Sequence, residues 1–212
     1  MEITLADTSF ILLPEHAMYW SSESALLIAD AHFSKEQHFR KNGIAIPGGI
    51  LDSDLKRLDH IVSKYAAQEI IFLGDMFHSD VNEGMHAFMA WRKKNSNIRC
   101  TLIIGNHDVL DMDWYVFADI QIAEESQRRG NILLRHDAGE HADGTYQLCG
   151  HVHPCIRLSG KAKQSLRLPC FYFTQHLGLL PAFGGFTGMH AIKPVSGDVV
   201  VGIAEGDLVR IQ

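Results

Sequence analysis

The feature that most constrains the fold is a set of short apolar runs. Four of them are Ala25–Ala29, Ile70–Leu73, Thr101–Ile104 and Ile132–Leu134. Runs of this length and composition are typical of strands that are buried on both faces. Stretches with a helical spacing of apolar residues separate the first run from the second and the second from the third. The order strand, helix, strand, helix, strand predicts a largely parallel sheet with helices packed on it.

The pattern changes after about residue 145, where the helical period of apolar residues disappears. Four segments in this second half have the composition of strands: Gln147–Cys149, Cys170–Phe173, Val199–Ile203 and Leu208–Ile211. We therefore expect a single domain over residues 1–212, of class α/β, in which the sheet of the first half packs against a strand-rich second half.

Each apolar run is followed closely by a side chain that can bind a metal ion. The residues in these positions are Asp30, His32, Asp75, Asn106, His136, His151 and His153. In open α/β sheets, sites form beyond the carboxyl ends of the strands, where neighbouring strand ends converge. Carboxylate and amide oxygens together with imidazole nitrogens suit divalent manganese, iron or zinc. The sequence therefore predicts a metal centre at one edge of the sheet.

Composition limits the class of protein. The formal net charge is −6, which argues against a surface that is basic throughout. Nucleic acid remains possible as a substrate, because bound metal cations add positive charge that composition does not count. No apolar run reaches the roughly 18 residues of a membrane helix. The first residues lack the basic and apolar regions of a signal peptide, so we expect a cytoplasmic protein.

The four cysteines are Cys100, Cys149, Cys155 and Cys170. In a cytoplasmic protein we expect them to be reduced and partly buried. Cys149 and Cys155 flank two histidines, which raises the alternative of a structural zinc site. The paired Cys-x-x-Cys spacing that usually marks such a site is absent from the sequence, so this alternative is disfavoured.

Five motifs occur along the chain in a fixed order: Asp-x-His at residue 30, Gly-Asp at 74, Gly-Asn-His-Asp at 105, the lone His136, and Gly-His-x-His at 150. This set resembles the calcineurin-like metallophosphoesterase superfamily over roughly residues 25–155. The resemblance implies a four-layer α/β/β/α sandwich of two mixed sheets, with a pair of metal ions at the strand ends.

The resemblance also implies two metal sites that share the bridging ligand Asp75. The other ligands would be Asp30, His32 and His153 at the first site, and Asn106, His136 and His151 at the second. His141 competes with His136 for the role of the lone histidine. We prefer His136, because His141 lies in a polar loop.

Three further residues receive roles from the same resemblance. His107 would face the leaving group and protonate it as general acid, and Asp108 would orient that imidazole. Many members of the superfamily carry a second acid after Gly-Asp. This chain has Met76-Phe77-His78-Ser79 there instead, which makes His78 a candidate substrate contact.

Segments outside the metal motifs narrow the resemblance to the bacterial ligase-associated DNA damage response endonucleases. These segments are Lys35, 40–44 with Pro47, 74–79, 149–154, 167–171, 180–184 and 186–188. The likeness implies a manganese-dependent nuclease or phosphodiesterase that acts on DNA in repair. It also implies an ATP-dependent DNA ligase, an exonuclease and a helicase as partners, and Arg40 as a substrate contact.

Two other functions stay open. One is a different hydrolase of the same superfamily, acting on a nucleotide, a lipid-linked sugar diphosphate or a phosphoprotein. The other is a non-catalytic binding module of this fold, which is disfavoured because His107 and all the expected ligands are present. The Gly-rich segment 184–188 lacks the Gly-Lys-Ser/Thr ending of a phosphate-binding loop, so we expect it to serve as a turn.

Overall fold

The apolar runs of the first half form the middle of a mixed β-sheet. The computed structural model describes residues 1–41, 43–46, 48–77, 83–140, 144–160 and 164–212. Within them, the first sheet has seven strands in chain order, with antiparallel neighbours from β1 to β4 and parallel neighbours from β4 to β7. The strands are β1 (Glu2–Leu5), β2 (Thr8–Leu13), β3 (Ala17–Trp20), β4 (Ala25–Ile28), β5 (Glu69–Leu73), β6 (Arg99–Ile103) and β7 (Ile120–Ala123).

A second mixed sheet collects the remaining strands of the described chain. Its order is β14-β11-β12-β13-β10-β9-β8, and β15 and β16 extend it from β12. The strands are β8 (Ser126–Arg129), β9 (Ile132–Arg135), β10 (Tyr146–Cys149), β11 (Pro154–Ser159), β12 (Ser165–Phe173), β13 (Leu177–Leu179), β14 (His190–Ala191), β15 (Val199–Ala204) and β16 (Asp207–Arg210). Its central strands β9, β10 and β13 run parallel to one another.

The helices lie in the first part of the chain. They are α1 (Lys35–Lys41), α2 (Ile50–Tyr65), α3 (Glu83–Lys94) and α4 (Met112–Phe117), with a short 3₁₀ turn at Ser21–Glu23. The buried side chains of α2 recur at three- and four-residue spacing, so one face of this helix packs into the core. No helix in the described part of the chain is long and apolar enough to span a bilayer.

Two hydrophobic cores lie on either side of the first sheet. In β5, Ile70 and Phe72 belong to the core shared with the helices, whereas Ile71 and Leu73 belong to the core between the two sheets. All five residues of β5 are buried. Side chains alternate between the faces of a strand, so a strand covered on both sides is apolar along most of its length, as β5 is after Glu69. The apolar runs in the sequence arise from this double burial.

The expected α/β class with two mixed sheets is confirmed. The prediction of a largely parallel sheet holds from β4 to β7, while the N-terminal strands β1 to β3 extend the sheet with antiparallel neighbours. The second outer layer of helices has no counterpart in the described residues after Phe117, which form strands and loops.

A buried ion pair joins the two sheets at the end where β5 begins. The Glu69 carboxylate is 1% exposed, and it accepts hydrogen bonds from both terminal nitrogens of Arg129 at 2.8 and 3.0 Å. Thr101 donates a third hydrogen bond at 3.0 Å. Burial acts to raise the pKa of Glu69, but Arg129 and Thr101 together outweigh it, and the pKa lies below its ordinary value.

We predict that Glu69→Gln lowers the free energy of unfolding by about 3 kcal/mol at neutral pH, because it removes the buried charged partner of the Arg129 guanidinium and leaves only the more exposed Glu23. A carboxyl whose folded-state pKa is depressed stabilises the fold above its unfolded pKa, which is near 4.5. That contribution disappears as the pH falls further. Denaturant titrations should therefore show the difference from wild type narrowing below about pH 4.5.

The matched control is Glu23→Gln. Glu23 pairs with the same arginine at 3.2 Å, but its side chain is 40% exposed, so its loss should cost less than about 1 kcal/mol. If Glu69→Gln lowered the free energy of unfolding by the same amount at every pH, this result would contradict the role assigned to the charge of the Glu69 carboxylate.

Candidate metal centre

The predicted ligands meet because backbone hydrogen bonds join the loops that follow the strands. The N–H of His32 donates to the carbonyl oxygen of Asp75 at 2.9 Å, and the N–H of Asp30 donates to Gly74 at 3.3 Å. On the second sheet, Gly150 donates to the carbonyl of His136 at 3.0 Å. These bonds hold the carboxyl end of β4 beside that of β5, and the carboxyl end of β9 beside that of β10.

The structure brings six of the seven predicted ligands into two compact groups. Within each group, one ligand atom of every residue lies within 4.8 Å of the others. The groups are Asp30 with His32 and His153, and Asp75 with His136 and His151. Both contain carboxylate oxygen and imidazole nitrogen, the donor set predicted for a divalent first-row metal.

Asp75 lies between the two groups, and its carboxylate oxygens face different neighbours. Its Oδ2 is 3.7 Å from Nε2 of His32, a member of the first group. Its Oδ1 is 3.5 Å from Nε2 of His136, a member of the second. The Asp75 side chain is only 4% exposed. A buried carboxylate between two sets of imidazole nitrogens is positioned to act as a ligand in both groups.

Two histidines are held so that Nε2 is available as a ligand. Nδ1 of His136 lies 2.9 Å from the carbonyl oxygen of Leu73, and Nδ1 of His153 lies 3.2 Å from the carbonyl oxygen of Gly188. A carbonyl can only accept, so each Nδ1 carries the hydrogen and each Nε2 keeps its lone pair. A backbone carbonyl that accepts a hydrogen bond from the other ring nitrogen is common at histidines that bind metals.

The spacing of the ligand atoms also fits a cation. Nδ1 of His151 and Nε2 of His136 are 3.1 Å apart, close to the separation of roughly 3 Å expected for two nitrogens that share one ion at about 2 Å. Nε2 of His153 lies 3.3 Å from Oδ1 of Asp30, whose side chain is fully buried. Both oxygens of Asp30 accept the N–H of His151, at 3.1 and 2.9 Å.

The backbone of the ligands is strained. Asp30, His32, Asp75, His151 and His153 all have φ between 43° and 64°, in the left-handed region. Residues other than glycine rarely adopt this conformation, and each instance costs on the order of 1–3 kcal/mol. Five of the seven predicted ligands share it, which is the concentration of strain expected at a functional site.

Two glycines allow the ligands to approach one another. A methyl group at Gly74 would overlap the imidazole of His136, and one at Gly105 would overlap the backbone nitrogen and Oδ1 of Asp75. Any larger residue at either position would push a ligand away. These glycines therefore leave room for the ligands at the strand ends.

The loop after β6 carries Asn106, His107 and Asp108. Asn106 and His107 are exposed, and the N–H of His107 donates to Oδ1 of Asp75 at 2.8 Å. The imidazole ring of His107 lies edge-on to that of His32, with the ring centres 5.4 Å apart. This loop thus carries two exposed side chains, and the imidazole of His107 lies next to the first ligand group.

Asp108 joins this loop to the end of β5. Its Oδ2 accepts the N–H of Gly105 at 2.9 Å, and its Oδ1 accepts the N–H groups of Met76 and Phe77 at 2.9 and 3.2 Å. Burial raises the pKa of Asp108 to about 6, although the backbone donors act in the opposite direction. In this geometry the carboxylate holds the backbone of the loop that carries His107.

The Gly-rich segment contributes more to the site than the turn that we predict from its sequence. Gly184 donates its N–H to the carbonyl of Asp30 at 3.1 Å, and Gly188 supplies the carbonyl that orients His153. Asp54 of α2 accepts the N–H of Gly185 at 3.0 Å, and Arg57 bonds to both Asp54 and the carbonyl of Phe183. In the sequence, the high density of glycines in this segment is the signal that could have indicated its role at the site.

The remaining predicted residues lie in α1 or outside the described residues. Arg40 is exposed near the end of α1 and lines a groove of about 570 Å³. His78 and His141 lie outside the described residues. Lys35 is partly buried, which lowers its pKa, although the nearby Asp75 and Asp30 carboxylates act to raise it.

Comparisons with known proteins identify the family of the chain. The model of one family, described as "Calcineurin-like phosphoesterase", matches residues 24–172. Among solved structures, the nuclease MPE of Pseudomonas putida is 31% identical with a TM-score of 0.84, and the match covers 100% of this chain and 99% of that one. The phosphoesterase YfcE of E. coli is 10% identical with a TM-score of 0.45, over 88% and 97% of the two chains. No curated protein matches the chain.

We predict that Gly105→Ala weakens metal binding about 10- to 100-fold, because the new methyl group displaces Asp75. Calorimetric titration with manganese, followed by metal analysis after dialysis, measures the effect. Gly188→Ala is the matched control, since a methyl there meets nothing within 4 Å. Wild-type metal content and affinity in Gly105→Ala would show that the position of Asp75 does not govern binding.

Proposed function

The chain belongs to the calcineurin-like phosphoesterase family and is a metal-dependent phosphoesterase, and we propose that it is a nuclease that hydrolyses phosphodiester bonds in DNA. The observation that carries the proposed chemistry is the position of Asp75, with one carboxylate oxygen facing each group of candidate ligands. A carboxylate in this position suits the shared ligand of a dinuclear centre.

We assign the ligands as the sequence motifs suggested. Asp75 would be the ligand shared by the two ions. Asp30, His32 and His153 would hold the first ion, and Asn106, His136 and His151 would hold the second. Manganese is the proposed metal, with iron and zinc as alternatives that the same donor atoms accept. When bound, the two ions would activate water as the nucleophile and stabilise negative charge on the phosphoryl group.

The protein's own contribution to the reaction is proton transfer and positioning. His107 is the proposed general acid, because its exposed imidazole lies next to the first ligand group, where it can protonate the leaving oxygen. Its backbone is anchored to Asp75 at 2.8 Å. Asp108 is a positioning residue, since its three hydrogen bonds to backbone N–H groups hold the loop that carries Asn106 and His107.

DNA as the substrate rests on the likeness to the Pseudomonas putida nuclease over the whole chain and on the segments shared with the ligase-associated endonucleases. Arg40 is the proposed phosphate contact at the groove beside α1, and His78 is a second proposed substrate contact. A role in DNA repair together with a ligase, an exonuclease and a helicase belongs to the same proposal.

The four cysteines are free thiols, which suits the proposed cytoplasmic location.

We predict that the protein with manganese converts circular single-stranded DNA into linear fragments, because a circle has no ends and only internal cleavage can open it. Gel electrophoresis follows the reaction. A nucleotide, a lipid-linked sugar diphosphate and a phosphopeptide, assayed in parallel, test the competing hydrolases. If the protein hydrolyses one of these compounds rapidly and leaves the DNA circle intact, that compound takes the place of DNA as the proposed substrate.

We predict that His107→Ala leaves the metal content unchanged and lowers the turnover of DNA about 10²- to 10⁴-fold. An aryl phosphodiester, whose leaving group needs little proton assistance, should lose much less. His60→Ala, which changes an exposed histidine of α2, is the control and should match wild type on both substrates. Equal losses on DNA and on the aryl ester in His107→Ala would exclude the general-acid role.

A further inference from the structure

A long acid-free segment surrounds two of the candidate metal ligands. Residues 144–197 contain five lysines and arginines but neither aspartate nor glutamate. The segment therefore carries a formal charge of +5, and the rest of the chain carries −11, which together give the overall −6. His151 and His153 lie within it. The acidic average of the chain hides this segregation of charge.

The structure places part of this charge on a hairpin that begins at the metal centre. β11 starts at Pro154, directly after His153, and pairs with β12 in an antiparallel ladder. In that ladder Arg157 lies directly opposite Arg167. Both arginines are exposed. We call the β11–β12 hairpin with these two arginines the basic ribbon.

The facing arginines are unfavourable for the isolated fold. Residues directly opposite each other in an antiparallel ladder have neighbouring side chains on one face, and like charges there destabilise the pair. In the described part of the chain, neither Arg157 nor Arg167 forms a hydrogen bond or an ion pair. Arg92 and Arg129, by contrast, are each paired with a carboxylate. The charge on the basic ribbon thus has no partner among the described residues.

We propose that the basic ribbon binds the phosphate backbone of the nucleic-acid strand that enters the metal centre. This inference rests on the proposed nuclease function. Arg157 is four residues beyond His153 along an extended strand, or roughly 13 Å at about 3.3 Å per residue. The ribbon therefore contacts phosphates several nucleotides from the scissile bond, on one side of it. It makes the enzyme prefer a polymer to a small diester, because only a polymer reaches both sites.

The test compares two substrates in the double variant Arg157→Gln/Arg167→Gln. For a single-stranded DNA oligomer, we expect KM to rise at least about tenfold at low salt while kcat is retained. The slope of log(kcat/KM) against log salt concentration should become shallower by about 1.4, or 0.7 for each lost phosphate contact. An aryl phosphodiester, too small to reach the ribbon, should be hydrolysed with unchanged kcat and KM, which also shows that the variant is folded.

The matched control is Arg128→Gln/Arg210→Gln, which removes the same charge from two exposed arginines outside the acid-free segment. An equal rise in KM for DNA in this control would assign the effect to net charge and overturn the proposal. Equal losses on DNA and aryl ester in the ribbon variant would overturn it too, since the damage would then lie at the metal centre.

The wild-type protein separates failure of the ribbon from failure of the proposed function. If wild type hydrolyses the aryl ester but not DNA, the nuclease proposal and the ribbon proposal fall together. If wild type cleaves DNA and the ribbon variant has the same KM and salt slope, the ribbon proposal alone is refuted.

Discussion

The site depends on one buried carboxylate at the end of one strand. Asp75 follows β5, which is buried on both faces, and its two oxygens face His32 and His136. Such a carboxylate is costly to bury unless cations or hydrogen-bond donors surround it. The N–H of His107 is one donor, and the histidine groups on either side provide places for cations. The two candidate metal sites would therefore be coupled through a single side chain.

The rigidity of the two sheets keeps the ligand loops in an unfavourable conformation. Left-handed backbone at five candidate ligands would relax if the loops were free. They are held because β4, β5, β9 and β10 end side by side, and because hydrogen bonds join one loop to the next. Glycines at 74 and 105 remove the side chains that would otherwise separate the ligands. The hydrophobic cores on both faces of the first sheet thus hold the strained backbone of the ligand loops at its edge.

The local features of the fold could be predicted from sequence because they repeat at short range. The apolar runs predicted β4, β5, β6 and β9, and the polar residues after them predicted the ligand groups. Features that depend on distant contacts could not be predicted. Gly188 orients His153 through a carbonyl 35 residues away, and every residue has such a carbonyl. The sequence position of Asp108 does not reveal that three backbone N–H groups surround its carboxylate.

The central claim is that two divalent ions bind on either side of Asp75. The most direct measurement is anomalous diffraction at the manganese absorption edge from crystals grown with manganese. The account predicts two peaks, one among Asp30, His32 and His153 and one beside His136 and His151, with one oxygen of Asp75 directed at each. A single peak, or two peaks that do not share Asp75, would contradict it.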